Sequence, residues 1–439
     1  MKKKSKRTLT PKLRFPEFRK EPGWDALKLG EVASFHKGQG LPKSAIAPGG
    51  KYPCIHYGQL FTEYSEVIGS IVSRTDSKIN GLRSQVNDVL MPTSDVTPNG
   101  LAKASCTKIG EVILGGDILA IRTNTERVEG EFLARQIRQR ERQVLQLVSG
   151  STVFHLYASS LDKLAVSLPS PAEQQKIAEC LSSLDGLIAA EGRKLEALKA
   201  HKKGLMQQLF PQPGQTQPRL RFPEFRGKGD WEEQPFEALY DFKPNNTYSR
   251  EQLNYEDGTA KNIHYGDIHT RFSTHFHINT EEVPFVNAEV LPNELDPESL
   301  CRPGDVIFTD ASEDLADVGK CIEIVNVRDE RVLSGSHTIL ARPSSQSLAV
   351  GFGGYLFKSR SARAGIEKEA QGTKVMQISP KRLATIQVFF PSEEDEQQAI
   401  VACLTALDTL IAARVEKIES LKTHKRGLMQ QLFPAPEEQ

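Results

Sequence analysis

The chain has 439 residues, with 56 Lys and Arg against 56 Asp and Glu and a formal net charge of zero at pH 7. That length allows about three domains, and the charge balance excludes a uniformly basic nucleic-acid binder. A basic front half is not excluded, because residues 1–160 hold 24 Lys and Arg and 15 Asp and Glu, against 32 and 41 in the remainder.

The first seven residues, MKKKSKR, are basic, and no apolar stretch of signal-peptide type follows them. They read as an arm able to touch phosphates. Six cysteines at 54, 106, 180, 301, 321 and 403 form no CxxC and no close pair, which points to reduced thiols in a cytosolic protein. No apolar run reads as long enough to span a membrane.

A first globular region follows PKLRFPEF (Pro11–Phe18) and Trp24. Short apolar runs at Asp88–Met91 and Asp117–Ile121 predict strands, and Glu131–Val148 predicts a helix. Leu161–Leu168 predicts a last strand. Between them lies a polar loop, Pro92 to Gly100, followed by Lys103.

Ser170 to Phe210 then predicts one long helix with a heptad seam. Ile177, Leu184, Leu198 and Leu205 take one seam position, and Leu181, Ile188, Leu195 and Leu209 the other. Glu191 and Lys202 interrupt it. An apolar period of 3.5 residues held over about four to five heptads calls for a partner helix. Ser170, Pro171 and Glu173 read as a capping box with proline in the first turn, and Phe210-Pro211 as the stop.

After a Pro/Gln/Gly linker at Gln212–Gln217 the pattern repeats. PRLRFPEF (Pro218–Phe225) and Trp231 lie 207 positions after their first copies, and the Ile-His-Tyr-Gly of Ile55 returns at Ile263, 208 on. Gly150 and Gly372 mark a shared turn. Val306–Phe308, Thr338–Leu340 and Leu383–Phe390 predict strands. The second long helix, Ser392 to Phe433, is offset by 223, with seam residues Ile400, Leu404, Leu407, Ile411, Ile418, Leu421, Leu428 and Leu432. Arg414 and Lys425 interrupt this one, and Glu191 with Arg414 suggests an opposite-charge pair that sets register. A duplicated unit of this size predicts a pseudo-two-fold molecule.

Catalytic motifs are missing. There is no phosphate loop of GxxxxGK[ST] type, no amino-methyltransferase tetrapeptide and no HExxH. His264, His269, His275 and His277 cluster along the chain but read as polar loop residues rather than a metal site.

The order of these elements, LRFPEF before a Trp, a mixed domain, EQQ, then HK.GLMQQLF, all twice, resembles the specificity subunit of type I restriction–modification systems. The resemblance implies an α+β fold, with two mixed α/β target recognition domains separated by a two-helix antiparallel coiled coil in a pseudo-two-fold tandem repeat. The boundaries are then a basic arm at 1–20, recognition domains at 21–169 and 231–391, long spacer helices at 170–210 and 392–433, and a linker at 211–230.

It further implies a non-catalytic, cytoplasmic subunit that reads a bipartite, asymmetric site on double-stranded DNA. It would scaffold two methyltransferase subunits and two restriction (motor-nuclease) subunits, without contact with a membrane. No cofactor is expected in this chain; S-adenosylmethionine, ATP and Mg are expected on the partners. A tandem coiled-coil adaptor that binds protein, without nucleic-acid recognition, is the alternative reading.

Side chains suited to phosphates and base edges single out Lys78, Arg83, Ser94, Asp95, Thr97, Asn99 and Lys103 in the first domain. In the second they are His269, Arg271, Asp310, Ser312, Lys320 and Lys374.

Overall fold

A computed structural model of the chain describes residues 8–78, 80–344 and 348–435. The heptapeptide MKKKSKR lies outside the described residues. The chain forms two compact units, residues 1–192 with 416–439 and residues 193–415. Each is described by itself.

In the first unit a five-stranded sheet runs in the order Ala33–Lys37, Ile118–Thr123, Val89–Pro92, Ser105–Thr107, Val67–Ile68. Its central strands are apolar on both faces because both faces are covered. Val89, Met91, Leu119 and Ile121 face a core that holds Trp24 and Phe132, while Leu90, Ile118 and Ala120 face Ile55 and Leu60.

The second unit repeats this order with Tyr240–Lys243, Thr338–Pro343, Val306–Thr309, Cys321–Asn326 and His275–His277. Val306, Phe308, Ile339 and Ala341 face one core, and Ile307 and Leu340 the other. The register repeats too, since Val67 opposite Cys106 becomes His275 opposite Glu323.

Two long helices, Pro171–Leu209 and Glu394–Leu432, each have 39 residues. In the first unit Ile177, Ala178 and Leu181, near the start of one helix, share a core with Met429, Leu432 and Phe433 at the end of the other. Lys425 reaches Asp185 at 2.5 Å and Lys417 reaches Glu191 at 3.3 Å, so the helices run antiparallel. In the second unit Leu209 and Phe210 share a core with Ile400 and Leu404, and Lys202 reaches Asp408 at 2.5 Å. Every seam residue named above is buried or half-buried, whereas Leu187 and Leu410, off the seam, are 41% and 51% exposed.

The start of the first long helix departs from the expected capping box. Glu173 does not turn back to Ser170. Its carboxylate takes two hydrogen bonds from Arg14, at 2.8 and 2.6 Å, and one from Trp24 Nε1 at 3.3 Å. Ser170 Oγ instead donates to Glu21 at 2.9 Å. A charged, bidentate guanidinium is a stronger partner than a backbone N–H. Glu396 repeats the arrangement with Arg221, at 2.7 and 2.6 Å, and Trp231, at 3.4 Å.

The adjacent glutamine ties the body to the helix. Gln174 accepts from Glu129 N at 3.0 Å and Gln397 from Ala349 N at 2.7 Å. The duplicated Arg, Trp and Glu-Gln are thus one device that docks a helix start on its own domain. Residues of the segment read as an arm belong to this device: Thr8–Leu9 pair with Trp24 and Asp25, and Arg14 is buried.

Three local expectations need correction. The helix expected at Glu131–Val148 is two helices, Gly130–Gln139 and Glu141–Leu145, broken at Arg140. There Gln136 and Arg140 both turn to Ser167, at 2.7 and 3.0 Å, so tertiary hydrogen bonding overrides helix propensity. The last strands are short, Ala165–Leu168 and Gln387–Phe390, each preceded by a four-residue helix. Finally, the helix Glu394–Leu432 is long and apolar enough to cross a membrane by length and composition, contrary to expectation. Some of that apolar content packs on the second domain, through Ile400, Leu404, Val401 and Cys403.

Candidate nucleic-acid interface

Just past the end of the middle strand of each five-stranded sheet, a two-residue strand pairs with another. Ser94–Asp95 pair with Phe154–His155, and Ala311–Ser312 with Met376–Gln377. Each pair joins the polar loop to a second loop closed by a bridge, Ser149 to His155 or Gln371 to Gln377. That second loop turns at Gly150, φ +117°, and Gly372, φ +137°, where a Cβ would meet the carbonyl oxygen of Val153 or Val375 at 2.1 or 1.9 Å. Only glycine fits such a turn. Ser151, Thr152, Thr373 and Lys374 are exposed.

The repeated Ile-His-Tyr-Gly supplies a third wall. His56 Nδ1 accepts from Gly58 N at 3.2 Å and His264 Nδ1 from Gly266 N at 3.1 Å, opening short helices Gln59–Thr62 and Tyr265–Thr270. The imidazoles therefore carry their proton on Nε2. Burial first, and then Lys43 or Arg250, holds both below the usual histidine range. Lys103 Nζ donates to Phe61 O and Lys320 Nζ to His269 O, both at 2.8 Å, at the far end of these helices. Both lysines pin a loop to a helix end, where a cation is favoured.

In the first unit the loop gathers Ser94, Asp95, Thr97, Asn99 and Lys103. Ser94 Oγ bonds His155 Nδ1 at 3.0 Å. Asp95 accepts from Val96 N at 2.7 Å and Thr97 Oγ1 at 2.9 Å, so it shapes the turn. Thr97 and Asn99 are exposed. Lys78 and Arg83 stand apart from this loop. Lys78 is exposed beyond the strand Ser73–Thr75, and Arg83 bonds Glu111 O at 3.0 Å.

In the second unit His269, Asp310, Ser312, Lys320 and Lys374 come together around the strand Ala311–Ser312. His269 Nε2 lies 3.4 Å from Ala311 O, and Asp310 lies 3.4 Å from His337. Burial raises the Asp310 carboxyl, against His337. Arg271 is bound to Tyr255 and Glu282.

Sequence reading missed the apolar tips of these loops. Val96, Val153 and Tyr157 are 71%, 42% and 55% exposed, and Leu315 and Val375 are 41% and 44% exposed. Their position beside the divergent polar loops was the available signal. Apolar side chains among donors and acceptors can contact thymine methyl groups while the polar ones read base edges. Among the described residues no three His, Cys, Asp or Glu gather to hold a metal ion, and His264, His269 and His275 each bond backbone separately.

Residues 21–200 match the family model described as "Type I restriction modification DNA specificity domain". Over those residues the chain is similar to the specificity domains of type I restriction–modification systems. Among curated proteins it is similar to the type I restriction enzyme MjaVIII specificity subunit of Methanocaldococcus jannaschii, 22% identical over 434 residues, 96% of this chain and 93% of the relative.

Among solved structures it is similar to a type I restriction–modification system S subunit from M. genitalium, with a TM-score of 0.60 and 15% identity over 98% of this chain and 100% of that one. A chain from a structure on complex assembly and conformational transition of the type I R-M system has a TM-score of 0.55 and 18% identity, covering 94% and 98%. The family match lies in the first repeat, and the second repeat carries the same strand order.

Proposed function

We propose that the chain reads a bipartite, asymmetric sequence on double-stranded DNA, one half with each repeat. The observation that carries this reading is a single scaffold built twice with different loops. The sheet order, the helix-docking device and the glycine turn recur, while Ser94-Asp95 gives way to Ala311-Ser312 and Ser151-Thr152 to Thr373-Lys374. Equal scaffolds with unlike readers suit a site with unlike halves. Phosphate contacts by Lys and Arg supply most of the affinity, and a few loop side chains the discrimination.

The chain supplies address and scaffold. Chemistry rests with two methyltransferase subunits that carry S-adenosylmethionine and two motor-nuclease subunits that use ATP and Mg, in the cytoplasm. The likeness to a chain from a structure on complex assembly of the type I R-M system supports such an assembly.

The test is to replace residues 93–101 by the loop of a relative and map adenine methylation in cells that hold the partner methyltransferase. One half of the methylated sequence should change and the other stay. Change in both halves, or in neither, overturns the reading.

A further inference from the structure

We infer that the second repeat carries an oxyanion slot, for a carboxylate or phosphate group, at Lys358 and Lys202, where the first repeat holds its own glutamate.

In the first unit the glutamate is Glu66. Its carbonyl accepts from Cys106 N at 2.8 Å, just before the edge strand Val67–Ile68. Its carboxylate accepts from Lys425 Nζ at 3.1 Å, and Lys425 also reaches Asp185 at 2.5 Å. Burial opposes the charge, but Arg138 and Lys425 outweigh it and hold the Glu66 carboxyl below the usual range. Asp185 also accepts from Arg135 at 2.9 Å and Arg135 reaches Glu131 at 3.0 Å, so three cations meet three carboxylates.

The second unit repeats the frame residue by residue. The carbonyl of Thr274 accepts from Glu323 N at 2.9 Å just before the strand His275–His277, so Thr274 stands where Glu66 stands. Lys202, at Lys425's place, reaches Asp408 at 2.5 Å as Lys425 reaches Asp185. Lys358 follows Arg138 by 220 positions, the same offset that relates Ala349 to Glu129, the two residues whose N–H groups the helix-start glutamines receive.

Lys358 Nζ, however, meets only a hydroxyl, Thr274 Oγ1, at 2.8 Å. Among the described residues no carboxylate lies within 4 Å of it. The carboxylate has been lost and two cations kept, while Arg135 on Asp185 gives way to Tyr355 on Asp408.

The vacated position opens into a cleft lined by Lys199, Lys202, Lys203, Tyr355, Lys358 and Asp408. A second cleft shares Lys203 and Lys358 and adds Lys320, Arg360 and Arg363 together with the carboxylates Asp317 and Glu367. Asp408 is already engaged by Lys202 and by the Tyr355 hydroxyl at 2.7 Å. Burial above all, and then Lys202 and Lys320, push the Lys358 ammonium down from the usual lysine range, against Cys321 and Asp408. A half-buried cation with no carboxylate in contact is costly, and an incoming oxyanion relieves that cost through short charge-assisted hydrogen bonds.

The full-length chain is titrated with inorganic phosphate and, separately, with acetate, each against chloride at matched ionic strength, by calorimetry and thermal unfolding. One saturable site per chain is expected, and stabilisation beyond chloride. Tighter phosphate binding indicates a phosphate-bearing ligand, and tighter acetate binding an acidic side chain; either supports the slot. Thr274→Glu should restore the first-repeat arrangement, raise the unfolding temperature without added anion and abolish binding. Lys358→Met should also abolish it, and Glu66→Thr should create a second site. Absence of saturable binding by both anions, or binding undiminished in Thr274→Glu and Lys358→Met, overturns the inference.

Discussion

Glu323 shows how one buried position can set apart two repeats of one scaffold. It is 1% exposed and its carboxylate accepts N–H groups from Gly351 at 2.5 Å and Gly354 at 2.6 Å. Burial dominates over those bonds and pushes the carboxyl from 4.5 up to about 8. Between those two values the folded chain keeps a proton that the unfolded chain has released. The stability tied to that proton is complete below 4.5 and drains as pH climbs through about 8. Glu323→Gln removes the dependence, so the variant should gain on the wild type steadily from pH 5 to 8.5. Urea midpoints across that range measure it, and a gap that stays constant with pH refutes it. The first repeat has Cys106 at this register position and no such dependence there.

Each long helix is held at both ends by different chemistry. At the start a carboxylate clamps Arg and Trp side chains, with Arg14 and Glu173 both buried. At the end an aromatic plug closes a core. Phe433 packs on Trp24 and Phe132, with ring centroids 6.2 and 5.2 Å apart, and Phe210 packs on Trp231 and Phe352, 6.0 and 5.8 Å apart.

The chain has two tryptophans, one in each unit. In a Trp231→Phe background, Trp24 fluorescence therefore follows the first unit alone. Phe433→Ala should lower the stability read by Trp24 by about 3 kcal/mol, the usual cost of removing a buried phenyl ring. A change below about 0.5 kcal/mol, the range of ordinary surface substitutions, would mean the plug is dispensable.

On the scale of the whole molecule, the proposed reading of a bipartite site gives the paired helices the part of a ruler. One heptad added to each helix keeps the seam in phase and lengthens the pair by about 10 Å. DNA rises about 3.4 Å per base pair, so the spacer between the recognised halves should grow by about three base pairs. Methylation mapping of such a variant with its partner methyltransferase gives the answer. An unchanged spacer, or altered half-sites, defeats the ruler. The uneven charge belongs to this scale as well, since residues 218–390 hold 20 Lys and Arg against 26 Asp and Glu. On the proposed reading, the second repeat grips phosphates through local clusters of cations rather than through its net field.

Much of this was legible along the chain, and the limit is a physical one. Hydrophobic period is a local property, so the two seams and the apolar cores of Val89–Met91 and Val306–Phe308 could be read directly, and so could the duplication at offsets from 207 to 223. Partner choice is not local. Arg14 and Glu173 are 159 residues apart, Lys202 and Asp408 are 206 apart, and Lys425 and Glu66 are 359 apart. Read alone, Glu173 was a helix cap, Lys202 and Lys425 were flaws in a seam, and Lys103 and Lys320 were cations free for phosphates. Folding made the first a clamp, the next two cross-helix ion pairs and the last two anchors of a loop. Periodicity determined the rods and the duplicated cores. Only the packing of distant segments decided which polar groups meet, because a buried charge settles on whichever partner the fold brings within reach.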